Sequence, residues 1–98
     1  MNAEFTKFDS TTEWVSGNVG ELRFEAKLSD VSVNYGINGG RISKLIIFDD
    51  SLRKRMKSLY KSMIIHWDKS WDIKPTKRTA EVYESVVKLL EASPKRFK

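Results

Sequence analysis

The 98-residue sequence contains no cysteine. Disulfide frameworks, thiolate metal sites and cysteine nucleophiles are therefore excluded, and a cytoplasmic location is expected. Long apolar runs are also missing. The longest is Leu45-Ile46-Ile47-Phe48, far short of the ~20 residues a membrane helix needs. Met1-Asn2-Ala3-Glu4-Phe5 has no basic segment leading into an apolar one, so no signal peptide is expected. Pro75 and Pro94 are the only prolines and His66 the only histidine.

What is present is a globular composition, 40% hydrophobic and 11% aromatic, in a chain long enough for one modest core. The net charge of +5 is unevenly spread. Residues 1–30 carry three basic and six acidic side chains, whereas residues 51–80 carry nine basic and two acidic. A chain acidic at its start and basic in its third quarter favours an anionic partner or an oriented docking.

Periodicity gives the elements. Leu22, Phe24, Ala26 and Leu28 alternate with Arg23, Glu25 and Lys27, as in a half-buried antiparallel strand. Residues 13–19 read as a short strand at the sheet edge. Asn38-Gly39, set between residues 31–37 and 42–48, reads as the type I′ turn of a hairpin in the middle of the sheet. Asp49-Asp50-Ser51 offers N-caps for a basic helix whose apolar stripe is Leu52, Met56, Leu59, Tyr60 and Met63. Residues 63–67 follow as a strand, and residues 68–75 are turn-like, with Pro75 barring further strand. A last helix, from Thr76 or Thr79 to just before Ser93-Pro94, offers Ala80, Tyr83, Val86, Val87 and Leu90 to the sheet. The expected fold is α+β: an antiparallel β-meander of about five strands with an inserted basic helix and a C-terminal helix packed on the sheet. A flexible N-terminal arm (1–12), a single domain (13–93) and a basic tail (94–98) complete the expected organisation.

Chemistry-bearing residues are few. Gly36, Gly39 and Gly40 lack Gly-x-Gly-x-x-Gly spacing and suit a tight hairpin better than a phosphate loop. His66 and Asp68 share a strand face and, with Asp72, Asp49 and Asp50, are the groups from which a metal or acid–base site would be built. A lone histidine among Ile64, Ile65 and Trp67 equally suits a half-buried sheet position. No recognisable nucleophile motif is present, so a non-enzymatic protein without cofactor is expected. Trp14, Trp67 and Trp71 with Tyr35, Tyr60 and Tyr83 either fill the core or offer a stacking platform, and Trp71 is the best candidate for an exposed ring.

The cations of the inserted helix are hardest to attribute to folding. Arg53, Lys54, Arg55, Lys57 and Lys61 have no acidic partner expected inside the helix. With Lys69 and Trp71 they form the predicted binding set, directed at DNA or RNA phosphates or at an acidic protein surface. Lys74, Lys77, Arg78, Lys95 and Arg96 are candidates to extend it. A merely solvated face is the competing reading. Membrane binding is not expected, because the helix's apolar stripe lacks Trp and Phe.

Trp14, Gly17, Phe24-Glu25-Ala26-Lys27, Tyr35-Gly36-Ile37, Gly39-Gly40-Arg41-Ile42-Ser43-Lys44-Leu45, Trp71-Asp72 and Pro75 together resemble a family of small uncharacterised proteins of phages and mobile elements of Gram-positive bacteria. The resemblance spans roughly residues 13–92 and is most specific from Tyr35 to Leu45. Lys69 and Ser70 depart from the family's Arg-Gly pair, and residues 51–61 look like an insertion relative to shorter relatives. The resemblance carries no activity. It implies a genomic setting in which small proteins often inhibit host defence. The expected function is accordingly an anti-CRISPR-like accessory protein that binds and sterically blocks a host protein or ribonucleoprotein complex, such as a CRISPR–Cas effector. A direct, sequence-independent nucleic-acid binder is the alternative, and a small metal-dependent enzyme centred on His66 and Asp68 comes third.

Overall fold

The structure, a computed structural model, describes residues 2–9 and 11–93. Six strands form one antiparallel sheet in strict chain order. They are β1 (Ala3–Asp9), β2 (Trp14–Val19), β3 (Leu22–Leu28), β4 (Ile42–Phe48), β5 (Met63–Asp68) and β6 (Trp71–Ile73). Two short helices, α1 (Asp50–Met56) and α2 (Leu59–Ser62), lie between β4 and β5, and α3 (Ala80–Ala92) follows the last strand. The α+β meander with a C-terminal helix on the sheet is as the sequence indicates.

Strand register sorts the side chains into two faces. Phe5, Gly17, Phe24, Ile47 and Ile65 form one cross-strand row, and Phe8, Val15, Ala26, Leu45, Trp67 and Trp71 form the next. α3 covers this face with Val82, Val86 and Leu90, which recur every four residues and are all buried. Each such side chain stabilises the fold by roughly 1.5–3 kcal/mol through burial. Gly17 belongs to the row for a steric reason: a Cβ there would meet the Glu4 carbonyl and the Phe24 ring. The opposite face carries Trp14, Lys27, Lys44 and Asp68 in one row and Ser16, Glu25, Ile46 and His66 in the next. α3 leaves that face open.

The expected hairpin at Asn38-Gly39 is absent. Residues 31–37 form no strand, and Ile37–Gly39 is a 3₁₀ turn within a loop joining β3 to β4. Asn38 and Gly39 do take positive φ, 54° and 72°, so the local signal is right and the strands it was meant to join are not there. The loop folds back over the core instead. Ile37 is buried, and the Trp67 indole N–H donates to the Tyr35 carbonyl at 3.1 Å.

Gly40 and Arg41 fasten this loop to α3. The Arg41 backbone N–H donates to Glu91 Oε2 at 3.0 Å, and a side chain on Gly40 would collide with that carboxylate. The Arg41 guanidinium donates to the carbonyls of Ser29, Glu91 and Ser93 at 2.9, 3.2 and 3.0 Å. It thereby satisfies carbonyls that a helix C-terminus otherwise leaves bare.

Three further expectations are corrected. Residues 3–9 of the expected arm form β1, which pairs with β2, so residues 13–19 are not at the sheet edge. The period was hidden because β1 is bulged between Phe5 and Lys7, which moves Phe8 onto the face of Phe5. Trp71–Ile73, read as turn, is a three-residue strand that ends before Pro75. The single helix over 51–61 is two, broken where Lys57 adopts the left-handed conformation (φ 54°, ψ 34°). The tail at 94–98 lies outside the described residues, as do Met1 and Ser10.

Candidate functional site

The α1–α2 segment is built on carboxylate caps. Asp49 accepts a hydrogen bond from the Leu52 backbone N–H at 3.0 Å, which starts α1. Asp50, in the first turn, is held by Arg53, whose Nε and Nη2 lie 2.9 and 2.8 Å from the same carboxylate oxygen. Lys54 Nζ stands 3.5 Å from the other oxygen. The hydrogen bond from Arg53, with the nearby positive charges, holds the Asp50 carboxyl below its usual range. Contrary to expectation, two of the five helix cations thus have an acidic partner inside the helix.

After Lys57 turns the chain, Ser58 restarts it. Ser58 Oγ accepts from the Lys61 N–H at 3.3 Å, and buried Ser62 donates to the Leu59 carbonyl at 2.6 Å. The Asp49 N–H donates to the Ser62 carbonyl at 3.1 Å and closes the neck of the excursion. Because the break at Lys57 interrupts the helical period, the expected apolar stripe does not form. Leu52 and Leu59 are half-buried, but Met56 is 44% and Tyr60 63% exposed.

The result is an outward surface of Arg55, Met56, Lys57, Tyr60 and Lys61, all exposed. Among the described residues, Arg55, Lys57 and Lys61 enter no ion pair. Between α1 and the open sheet face lies a cleft of about 360 Å³ lined by Arg23, Glu25, Phe48, Asp50, Arg53, Lys54 and Leu59. The Arg53 guanidinium carbon sits 5.8 Å from the centre of the Phe48 ring, within cation–π range. Arg23, Phe48 and the outward turn of Met56 and Tyr60 escaped sequence reasoning. The first two meet only through strand register, which places Arg23 opposite Phe48.

Lys69 and Trp71 do not join this surface. β4 runs from Lys44, opposite Asp68, to Phe48, opposite Met63. Lys69, following Asp68, is therefore at the far end of the sheet, about 13 Å away along the strands. Its Nζ lies 5.7 Å from the Tyr35 ring centre. Trp71 is half-buried, edge-on to Trp67 and Tyr83 at centroid distances of 4.9 and 5.6 Å. Burial also pushes the Tyr83 hydroxyl above its usual titration range, partly offset by a hydrogen bond with Asn38. These rings close one end of the core. Lys74, Lys77 and Arg78 are exposed and follow β6, whose antiparallel course heads back toward the α2 end.

Of the groups considered for a metal or acid–base site, only His66 and Asp72 come together. His66 Nδ1 lies 2.9 Å from Asp72 Oδ2, while Asp68 leans toward Lys44 at 4.0 Å. Asp49 stands three residues beyond Ile46, the cross-strand neighbour of His66, or about 10 Å along β4. Among the described residues no three His, Asp or Glu side chains are placed to hold a metal ion.

Compared with known families, residues 13–91 match the one described as Domain of unknown function (DUF7678). The chain belongs to this family. The DUF7678 match takes in β2 through α3, the Gly40-Arg41 clasp and the whole α1–α2 excursion, and it leaves β1 outside. No curated protein and no solved structure matches the chain. No helix among the described residues is long and apolar enough to cross a membrane.

Proposed function

We propose that this DUF7678 protein is a non-enzymatic binding protein of a phage or mobile element that acts in the host cytoplasm. It docks α1–α2 onto an anionic surface of a host nucleic-acid-handling complex, of the kind a CRISPR–Cas effector presents, and blocks that surface sterically. One observation supports this reading above the others. α1 buries none of its residues, yet the segment holds three cations that enter no ion pair among the described residues, beside an exposed Met and Tyr. Arginine, tyrosine and methionine are the types enriched at protein interfaces, and a surface kept only for solubility has no use for the latter two.

The test is capture of host complexes with the wild type and with Arg55→Glu/Lys57→Glu/Lys61→Glu. Arg53 is left in place because it anchors Asp50. Capture of one complex by the wild type, weakened as salt rises and lost in the triple variant, is the expected result. Capture that survives the triple variant removes the reading.

Direct binding of nucleic acid is the second reading. It is favoured by the exposed Tyr60 ring, next to Lys61, as a stacking surface for a base. A gel-shift titration separates the two. Three phosphate contacts give a log–log salt slope of about −2 to −3, whereas a dedicated protein ligand leaves free DNA and RNA unshifted.

A further inference from the structure

A different surface, sharing no residue with α1–α2, is the sheet face that α3 leaves open. One row across it runs Asp9, Trp14, Lys27, Lys44 and Asp68, each directly opposite the next on neighbouring strands. Lys44 and Phe48 stand at opposite ends of the β4–β5 pairing, so the row is at the end of the sheet remote from α1.

Two features of this row are not accounted for by folding. Lys27 and Lys44 face each other directly, and like charges so placed on paired strands cost stability. Asp68 answers only one of them, loosely, with 4.0 Å between its carboxylate and Lys44 Nζ. Among the described residues the Lys27 ammonium enters no ion pair. Asp9 is engaged by the backbone N–H groups of Thr11 and Thr12, at 3.0 and 3.2 Å. The second feature is Trp14. It is half-buried on the face away from α3, lies outside the core, and pairs with no other ring among the described residues.

Native proteins break local rules of this kind at functional sites. Two opposed ammonium groups match a phosphate monoester, which brings nearly two negative charges and three acceptor oxygens at neutral pH. Trp14, on the other side of Lys27, offers a flat face to a base. Neighbouring strands are about 4.8 Å apart, which sets Trp14 roughly 7 Å from the midpoint of the two lysines. A single sugar bridges that distance.

We propose that the open face holds one nucleoside monophosphate, its base against Trp14 and its phosphate between Lys27 and Lys44. A lone nucleotide fits better than a strand. The adjacent row is Ser16, Glu25, Ile46 and His66, where a second phosphate would meet the Glu25 carboxylate.

Chemical-shift titration of the nitrogen-labelled protein with adenosine monophosphate (AMP) reads the result. The Trp14, Lys27 and Lys44 amide signals are expected to move together, and adenosine or inorganic phosphate alone binds about tenfold more weakly or worse. Trp14→Ala and Lys27→Gln each raise the AMP dissociation constant about tenfold. Without ligand, Lys27→Gln melts above the wild type because the repulsion is gone. Arg55→Glu/Lys57→Glu/Lys61→Glu binds AMP as the wild type does, so failure here and failure of the α1–α2 reading are separate results. Signals that stay still at millimolar AMP overturn the proposal. So does AMP binding indifferent to Lys27→Gln, or a Lys27→Gln variant no more stable than the wild type. A short oligoadenylate binding far more tightly than AMP also overturns it, by making a strand the occupant.

Discussion

Residues 29–41 join β3 to β4, and residues 49–62 join β4 to β5. The two connections are of similar length and leave neighbouring strands, yet Ile37 in the first is 2% exposed while Tyr60 in the second is 63% exposed. The first connection carries glycines, an arginine and a tyrosine that look suited to a ligand loop, and it spends them on holding α3 and the Trp67 side of the core. The second carries an amphipathic pattern that looks suited to packing, and it turns its cations and two apolar side chains outward. Residue type alone does not separate structure from function in this chain. What separates them is whether the segment's donors and acceptors are used internally.

Substitutions can break this contrast or sharpen it. The largest effects belong to the first connection. A methyl group on Gly36 would fall on the Gly40 carbonyl, so Gly36→Ala is expected to cost about 2–4 kcal/mol in urea unfolding. Ile37→Ala, which empties a buried site, falls in the same range of about 2–4 kcal/mol. Arg41→Lys comes next, at about 1–2 kcal/mol, because an ammonium cannot span three carbonyls as the guanidinium fork does. A loss under a few tenths would mean that the loop does not hold α3.

In the second connection the expected effects are small and one reverses sign. Lys57→Gly relieves a left-handed residue and should raise stability by up to about 0.5–1 kcal/mol. Tyr60→Ala should fall within about 0.5 kcal/mol of wild type; a larger loss would show that the ring packs after all and would erase the contrast. The Asp50 carboxyl titrates below the ordinary carboxylate value because of Arg53 and Lys54. Its contribution is present above the unfolded value and disappears as the pH falls through the folded one. A carboxyl carbon shift titration of the wild type beside Arg53→Ala should show the midpoint return toward the ordinary value.

Legibility in the sequence followed the reach of the interactions. β3 and α3 were plain because their periods of two and 3.6 are set by one covering face each. β1 was hidden by the residue its bulge inserts, and β6 is too short to show a period. Asn38-Gly39 announced its own backbone angles correctly, but no local signal reports that Val31 and Val33 lack a strand to pair with. At the candidate site the cations were legible one by one. Their division was not, because Lys69 and Trp71 are close in sequence to β5 and remote from α1 in space. The pairing of Arg53 with Asp50 was within reach of the three-residue helix spacing.

The sequential order of the sheet bears on how the chain is made. Each strand pairs with the one synthesised just before it, so contacts between strands are local and the meander can assemble stepwise as it leaves the ribosome. The helix that covers its apolar face is translated after all six strands. For that interval Phe24, Leu45 and Ile47 stand uncovered, and the Arg41 clasp has no helix end to hold. Slow codons placed between residues 74 and 93 would lengthen that interval, and aggregation of the nascent chain would be their first sign.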